Sequence, residues 1–262
     1  MSGSGSQAER VVVVHQMGKV GSIEIHKALR ERGGVQAEFT HLLNRAAIAA
    51  YVRRKRADGS PIPEHVGASA HLWRMIRRTD RPIDFVCAVR GPMARNISAM
   101  FQNLPASIGL EPTPDALEAI NRRFLNHYPH STPLWWFDRQ LKEPLGLDVY
   151  SQPFDHESKC LLLRSGRFRV LVLRAEDSDE IKQEAVARHL DLPGFTLRRA
   201  NVGADKAYAA LYQGFVRTFE PPEWLVEKCY RSRVCEHFYT AAEIDRFRAR
   251  WSPASQTETE AA

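Results

Sequence analysis

An α/β fold is expected, one domain with a mainly parallel central sheet flanked by helices, and three features of the sequence predict it. Val11–Val14 is an unbroken β-branched run and Ile83–Val89 is nearly all apolar, as strands buried on both faces of a parallel sheet must be. Each run passes at once into a turn marked by Gly or Pro and then into a helical pattern, which implies crossover connections between parallel strands. The chain has 262 residues, 44% apolar and 26% charged, enough for one sizeable core. In such sheets ligands bind beyond the carboxyl ends of the strands.

The elements follow in order. Residues 1–9 and 253–262 are rich in small and polar residues and are expected to be disordered around a domain spanning 10–252. After the first strand, a helix is predicted over 22–32, stopped by Gly33-Gly34. A second strand is predicted at 35–42 and a helix at 44–56, ending in Arg53-Arg54-Lys55-Arg56. That basic run reads as a solvated helix end complementing its own dipole rather than as a nucleic-acid contact. Pro92 opens a helix to about Asn103, tolerated there because the first turn needs no N–H donor. Helical patterns follow at 113–127 and 132–143, then a short strand at 147–150 and a hairpin across Ser165-Gly166. Helices are predicted at 178–190, 205–218 and 221–238, with a last one from Thr240.

The formal net charge of +6 favours an anionic partner. None of the four cysteines has Cys-x-x-Cys spacing, so neither a zinc nor a redox motif is suggested, and Cys87 reads as a core thiol.

The first strand leads into His15-Gln16-Met17-Gly18-Lys19-Val20-Gly21-Ser22. A helix amino terminus offers unpaired N–H groups and partial positive charge, glycines admit a phosphate close to the backbone, and Lys19 adds a full charge. In a Walker A loop Lys-Ser/Thr directly follows the last glycine; here Lys19 precedes Gly21 and Ser22 follows it. A tight turn with a solvent-facing lysine fits these residues as well as a phosphate site does. The second turn is more specific. Arg90 closes a buried strand, Pro92 opens a helix, and Arg95 and Ser98 stand one turn apart. An arginine fork with a neighbouring hydroxyl suits one phosphate group.

Together the two segments resemble the 5'-phosphosulfate and 3'-phosphate motifs of sulfotransferases dependent on 3'-phosphoadenosine 5'-phosphosulfate (PAPS). The chain looks most like the bacterial family of putative capsular polysaccharide synthesis proteins, a sulfotransferase-like group. Further segments carrying the resemblance are Trp136-Phe137-Asp138, Gly146–Tyr150, Pro153-Phe154-Asp155, Leu171–Asp177 and Asn201–Tyr212 with Lys206. The resemblance implies a P-loop-NTPase-like sulfotransferase fold and sulfuryl transfer from PAPS, releasing PAP without a required metal. It implies cofactor contacts from Gly18, Lys19, Val20, Gly21, Ser22, Ile23, Arg90, Ser98 and Lys206. The implied acceptor is a carbohydrate or glycolipid hydroxyl, with the substrate at a membrane periphery among the options and no nucleic-acid partner. The run Val11–Val14 is too short for a signal peptide or a membrane span, and a cytoplasmic enzyme of bacterial type is expected. No feature of the sequence sets an oligomeric state. Ile23 and Glu24 stand where Ser or Thr is usual in the family, and Gly91 where Asp is usual.

Transfer needs a base for the acceptor proton and a cation for the leaving oxygen. Lys19 is assigned the second task. His41, at the end of the second strand, is the candidate base; a helix-capping histidine is the equal alternative, and Glu24 is the other candidate base. Asp138 and Glu176 read as structural carboxylates. Of Trp135 and Trp136, one is expected in the core and one partly exposed. The competing classes are a kinase or nucleotide hydrolase, holding magnesium through Ser22 and Asp177, and a non-catalytic binding protein, either a degenerate nucleotide-binding sulfotransferase or a basic nucleic-acid binder suggested by the net charge and Arg53–Arg56.

Overall fold

A computed structural model describes residues 10–102, 104–111, 113–197 and 208–251. The expected tails at 1–9 and 253–262, and Lys206, lie outside these residues. Strand β1 (Arg10–His15) leads through the glycine turn to α1 (Ile23–Arg32), β2 (Val35–Thr40), α2 (Arg45–Ala57), α3 (Glu64–Arg78) and β3 (Ile83–Val89). Helices α4 (Pro92–Gln102), α5 (Leu104–Ile108), α6 (Leu117–His127) and α7 (Thr132–Phe137) follow. A π-helical turn spans Asp138–Lys142, and α8 (Glu143–Leu145) ends the run. The hairpin β4 (Cys160–Ser165) and β5 (Phe168–Arg174) precedes α9 (Asp179–Leu190), α10 (Ala209–Thr218), α11 (Glu223–Tyr230), α12 (Arg233–Phe238) and α13 (Ala241–Ala249).

The strand order is β2-β1-β3-β5-β4. Neighbours are parallel except at the β4–β5 edge, so the sheet is mainly parallel, as the apolar runs predict. Val11–Val14 are almost wholly buried, each contributing on the order of 1.5–3 kcal/mol of hydrophobic burial. Alternation along β1 divides them between two faces. Val12 and Val14 pack with Ile25, Leu29, Val86, Leu171, Val186 and Leu190, so α1 and α9 cover that face. The opposite face carries His15, Phe85 and Thr40. Trp136 lies over His15 with ring centroids 4.6 Å apart, and Ser69 of α3 places its hydroxyl 2.7 Å from that of Thr40.

The described chain falls into two compact units. Residues 10–89 and 136–197 form the first, which contains the sheet; residues 90–135 and 208–251 form the second, which is helical. Each unit is assembled from two stretches of chain, so no linker composition marks a boundary.

Several elements differ from the sequence expectation for local reasons. Helix α3 was not anticipated; its buried positions Val66, Ser69, Leu72 and Ile76 include a polar residue, which blurs the apolar periodicity. Residues 147–150 form no strand. The Asp148 carboxylate accepts from Tyr150 N–H at 3.0 Å and closes a 3₁₀ turn over Val149–Ser151. The helix predicted over 221–238 is two, because Ser232 donates to Cys229 C=O at 2.6 Å and its hydroxyl accepts from Cys235 N–H, ending α11 and capping α12.

Candidate functional site

In the first unit the site grows from the pairing of β1 with β2. The strands are parallel, with His15 opposite Thr40, so Gln16 and His41 leave the sheet side by side at its carboxyl edge. The next strand in sequence, β3, lies on the other side of β1, so this edge adjoins the point where the strand order reverses. Gln16 N–H donates to Thr40 C=O at 3.1 Å, and His41 Nδ1 donates to Gln16 C=O at 2.9 Å. A carbonyl only accepts, so neutral His41 carries its proton on Nδ1 and its basic lone pair on Nε2. The ring edge reaches the glycine turn: a Cβ added to Gly18 would stand 3.8 Å from His41 Cε1.

The turn itself is tightly wound. Gly18, Lys19 and Gly21 have φ of 79°, 63° and 71°. Glycine takes that conformation freely, whereas a lysine at positive φ is held at a cost of roughly 1–2 kcal/mol. Such strain concentrates at functional sites, and left-handed turns of this kind form concavities for anions. Beside Gly21 the space is open to at least 4 Å from an added Cβ. Ser22 is buried and donates to Gln16 Oε1, making no side-chain cap on α1. Its hydroxyl therefore leaves the first-turn N–H groups of α1 uncapped by it, a donor set that suits phosphate. Val20 is buried, Ile23 is 38% exposed as the first residue of α1, and Glu24 lies in the first turn.

Behind the turn, His15 is fully buried, with Nδ1 3.1 Å from Thr40 C=O and Nε2 3.2 Å from Gln140 C=O. Burial pushes its pKa down to about 4, partly offset by the two carbonyls and reinforced by His41. Trp136 is in the core and Trp135 is partly exposed, which leaves the fully buried indole unavailable for stacking on a sugar. Asp177, suggested as a magnesium ligand, has both oxygens held by Arg174, at 2.9 and 2.7 Å. Phe154 stacks 5.2 Å from that guanidinium.

Residues 122–240 match the family described as "Putative capsular polysaccharide synthesis protein". The match begins within α6 and ends before α13, so it covers under half of the chain. No curated protein and no solved structure matched the chain significantly. The matched span holds Trp136, Gln140 and Asp177, whereas Lys19, His41, Arg90 and Ser98 precede it.

In the second unit, Arg90 follows the end of β3 and Pro92 opens α4. Arg95 is buried, donates to Asn96 Oδ1 at 3.1 Å and bonds the Tyr128 hydroxyl. Burial lowers its pKa, Tyr128 opposes that shift, and the nearby charge of Arg90 adds to it. Ser98 is partly exposed on the same helix. Lys206 lies outside the described residues.

Sequence reasoning missed Gln140. Its Oε1 accepts from Leu43 N–H at 2.8 Å and from Asn44 N–H at 3.0 Å, clasping the segment that follows His41. The signal was Pro144, a residue without an N–H directly after the helical pattern 132–143.

Proposed function

We propose that this chain is a sulfotransferase that moves a sulfuryl group from PAPS to a hydroxyl of a carbohydrate or glycolipid. The observation that carries the reading is the strained Gly18–Gly21 turn at the uncapped start of α1, with His41 against it. Similarity to a family named for capsular polysaccharide synthesis supports a biosynthetic role on glycans. The order Arg90-x-Pro-x-x-Arg95-x-x-Ser98 and the P-loop-like fold implied by resemblance support the choice of a nucleotide with a second phosphate.

The donor set of the turn fits a phosphosulfate: backbone N–H groups at a helix start, Lys19, and open space beside Gly21. PAPS supplies the sulfuryl group and departs as PAP. Gly18, Val20, Gly21, Ser22 and Ile23 hold the 5' end through backbone groups, and Arg90 with Ser98 is assigned to the 3'-phosphate. Lys19 neutralises charge gathering on the leaving oxygen, a contribution greater in the transition state than in the ground state. His41 Nε2 takes the acceptor hydroxyl's proton as the new O–S bond forms. The kinase reading is weaker, because Ser22 is committed to Gln16 and Asp177 to Arg174.

The test is calorimetric titration with PAP, 5'-AMP and ATP, followed by single-turnover transfer of labelled sulfate from PAPS to a glycan pool. PAP should bind at least about tenfold tighter than 5'-AMP, the equivalent of one charge-assisted hydrogen bond. Equal affinities for PAP and 5'-AMP would overturn the assignment.

A further inference from the structure

Pro144 stands where an α-helix would need an N–H to bond Gln140 C=O, four residues back. The helix answers by widening: Glu143 N–H bonds Asp138 C=O, five residues back, in the π turn Asp138–Lys142. Gln140 C=O instead meets His15 Nε2 at 3.2 Å. Thr40 C=O, facing the other ring nitrogen, already accepts from Gln16 N–H. The carbonyl left without its helical donor thus stands against a ring nitrogen of His15. The same turn buries the Gln140 side chain and aims Oε1 at Leu43 N–H and Asn44 N–H. Asn44 returns the contact, donating through Nδ2 to Arg139 C=O at 3.1 Å and to Glu143 Oε2 at 2.8 Å. Its Oδ1 caps α2 by accepting from Ala47 N–H. The segment that carries His41 is thus fastened at its far end to the π turn, and at its near end to Gln16.

We infer that Gln140 is a positioning residue that, through the π turn imposed by Pro144, holds the His41 segment so that His41 Nδ1–H stays on Gln16 C=O and the orientation of the ring is fixed. Its consequence for turnover rests on the reading of His41 as the base. Every group in the network belongs to the first unit. Buried Leu43 N–H would lose its acceptor if Gln140 moved, and an unpaired buried donor is not tolerated without local rearrangement.

The experiment is ¹⁵N–¹H correlation of the histidine rings in the full chain, for wild type, Gln140→Leu, Gln140→Glu and Pro144→Ala, together with kcat and KM for sulfuryl transfer. Wild type should show His41 as a single Nδ1–H tautomer. Gln140→Leu should populate the Nε2–H tautomer and lower kcat about tenfold or more, with nucleotide KM unchanged. Gln140→Glu keeps an acceptor oxygen and should retain the wild-type tautomer. Pro144→Ala separates positioning from stability. It restores the missing N–H and should raise the melting temperature while disturbing His41 as Gln140→Leu does. An unchanged His41 tautomer in both Gln140→Leu and Pro144→Ala overturns the inference. Should both variants fail to fold, wild-type hydrogen exchange decides: slow Leu43 and Asn44 amides uphold the clasp, and amides as fast as unstructured ones overturn it. A wild type that transfers no sulfuryl group, in variants of which the His41 response is still seen, refutes the proposed reaction and upholds the positioning.

Discussion

Lys19 and His41 hold opposite kinds of strain and order within a few ångströms of Gly18. Lys19 adopts φ of 63° although glycines flank the turn and could have taken that conformation more cheaply. Lys19→Gly should therefore be neutral or stabilising by about 1 kcal/mol while abolishing transfer, measured by urea unfolding and single-turnover assay. Lys19→Arg should leave transfer well below wild type, because a planar fork does not occupy the place of a compact ammonium. A lysine that merely faces solvent would give full transfer in both. For His41, alanine should lower turnover by on the order of a hundredfold with PAP affinity nearly unchanged. Full activity of His41→Ala with an identified acceptor would move the role to Glu24, which lies in the first turn of α1.

At the scale of elements, the proposed role of the Gly18–Gly21 turn is separable from the stability of the rest of the first unit. Gly21 and Gly166 both have positive φ, 71° and 54°, and both face open space. Alanine at either position meets no side chain, so only backbone strain of roughly 1 kcal/mol is added. Gly21→Ala and Gly166→Ala should lose similar stability. Only Gly21→Ala should weaken PAP binding, because Gly166 lies in the β4–β5 turn, at the ends of those strands away from Arg174. Equal PAP affinity in both variants, by calorimetry, would remove the turn from the binding site. Helix α1 divides its roles in the same way: Ile25 and Leu29 bury its inner face, while its first turn receives no side-chain cap.

For the whole molecule, buried histidines set the response to acid. Burial pushes His15 and His189 from an ordinary 6.5 down to about 4; for His189 the charges of Arg10 and Arg164 add to the effect. Between those values the unfolded chain binds more protons than the folded one, so stability rises with pH there. It is complete above about pH 6.5 and falls as pH drops toward 4. Each site accounts for roughly 3 kcal/mol at full shift. Urea midpoints of wild type should decline across this window, and His189→Gln should flatten the decline by about one proton's worth of slope. An unaltered slope in the variant would show that His189 is protonated within the fold. PAP should raise the melting temperature of the whole chain in proportion to the logarithm of its concentration.

What the sequence by itself determined is local. The β-branched run of β1, the glycine turn and the start of α1 are written in consecutive residues, as are β3, Arg90 and the Pro92 start of α4, because propensity, glycine geometry and capping act over a few positions. Asp148 and Ser232 show the same local physics working against a pattern read by hydrophobicity alone: one captured N–H turns a strand into a 3₁₀ turn, and one hydroxyl splits a helix. Tertiary structure decided what those pieces meet. His41 touches the glycine turn only because β1 and β2 pair in parallel with His15 opposite Thr40, a register no window of sequence states. Gln140 reaches Leu43 across 97 positions of chain, and Pro144 announces a lost hydrogen bond without saying which distant donor will replace it. Pairing and burial are properties of the closed fold, and with them came the tautomer of His41 and the depressed pKa of His15, since both depend on carbonyls and apolar walls supplied by other elements.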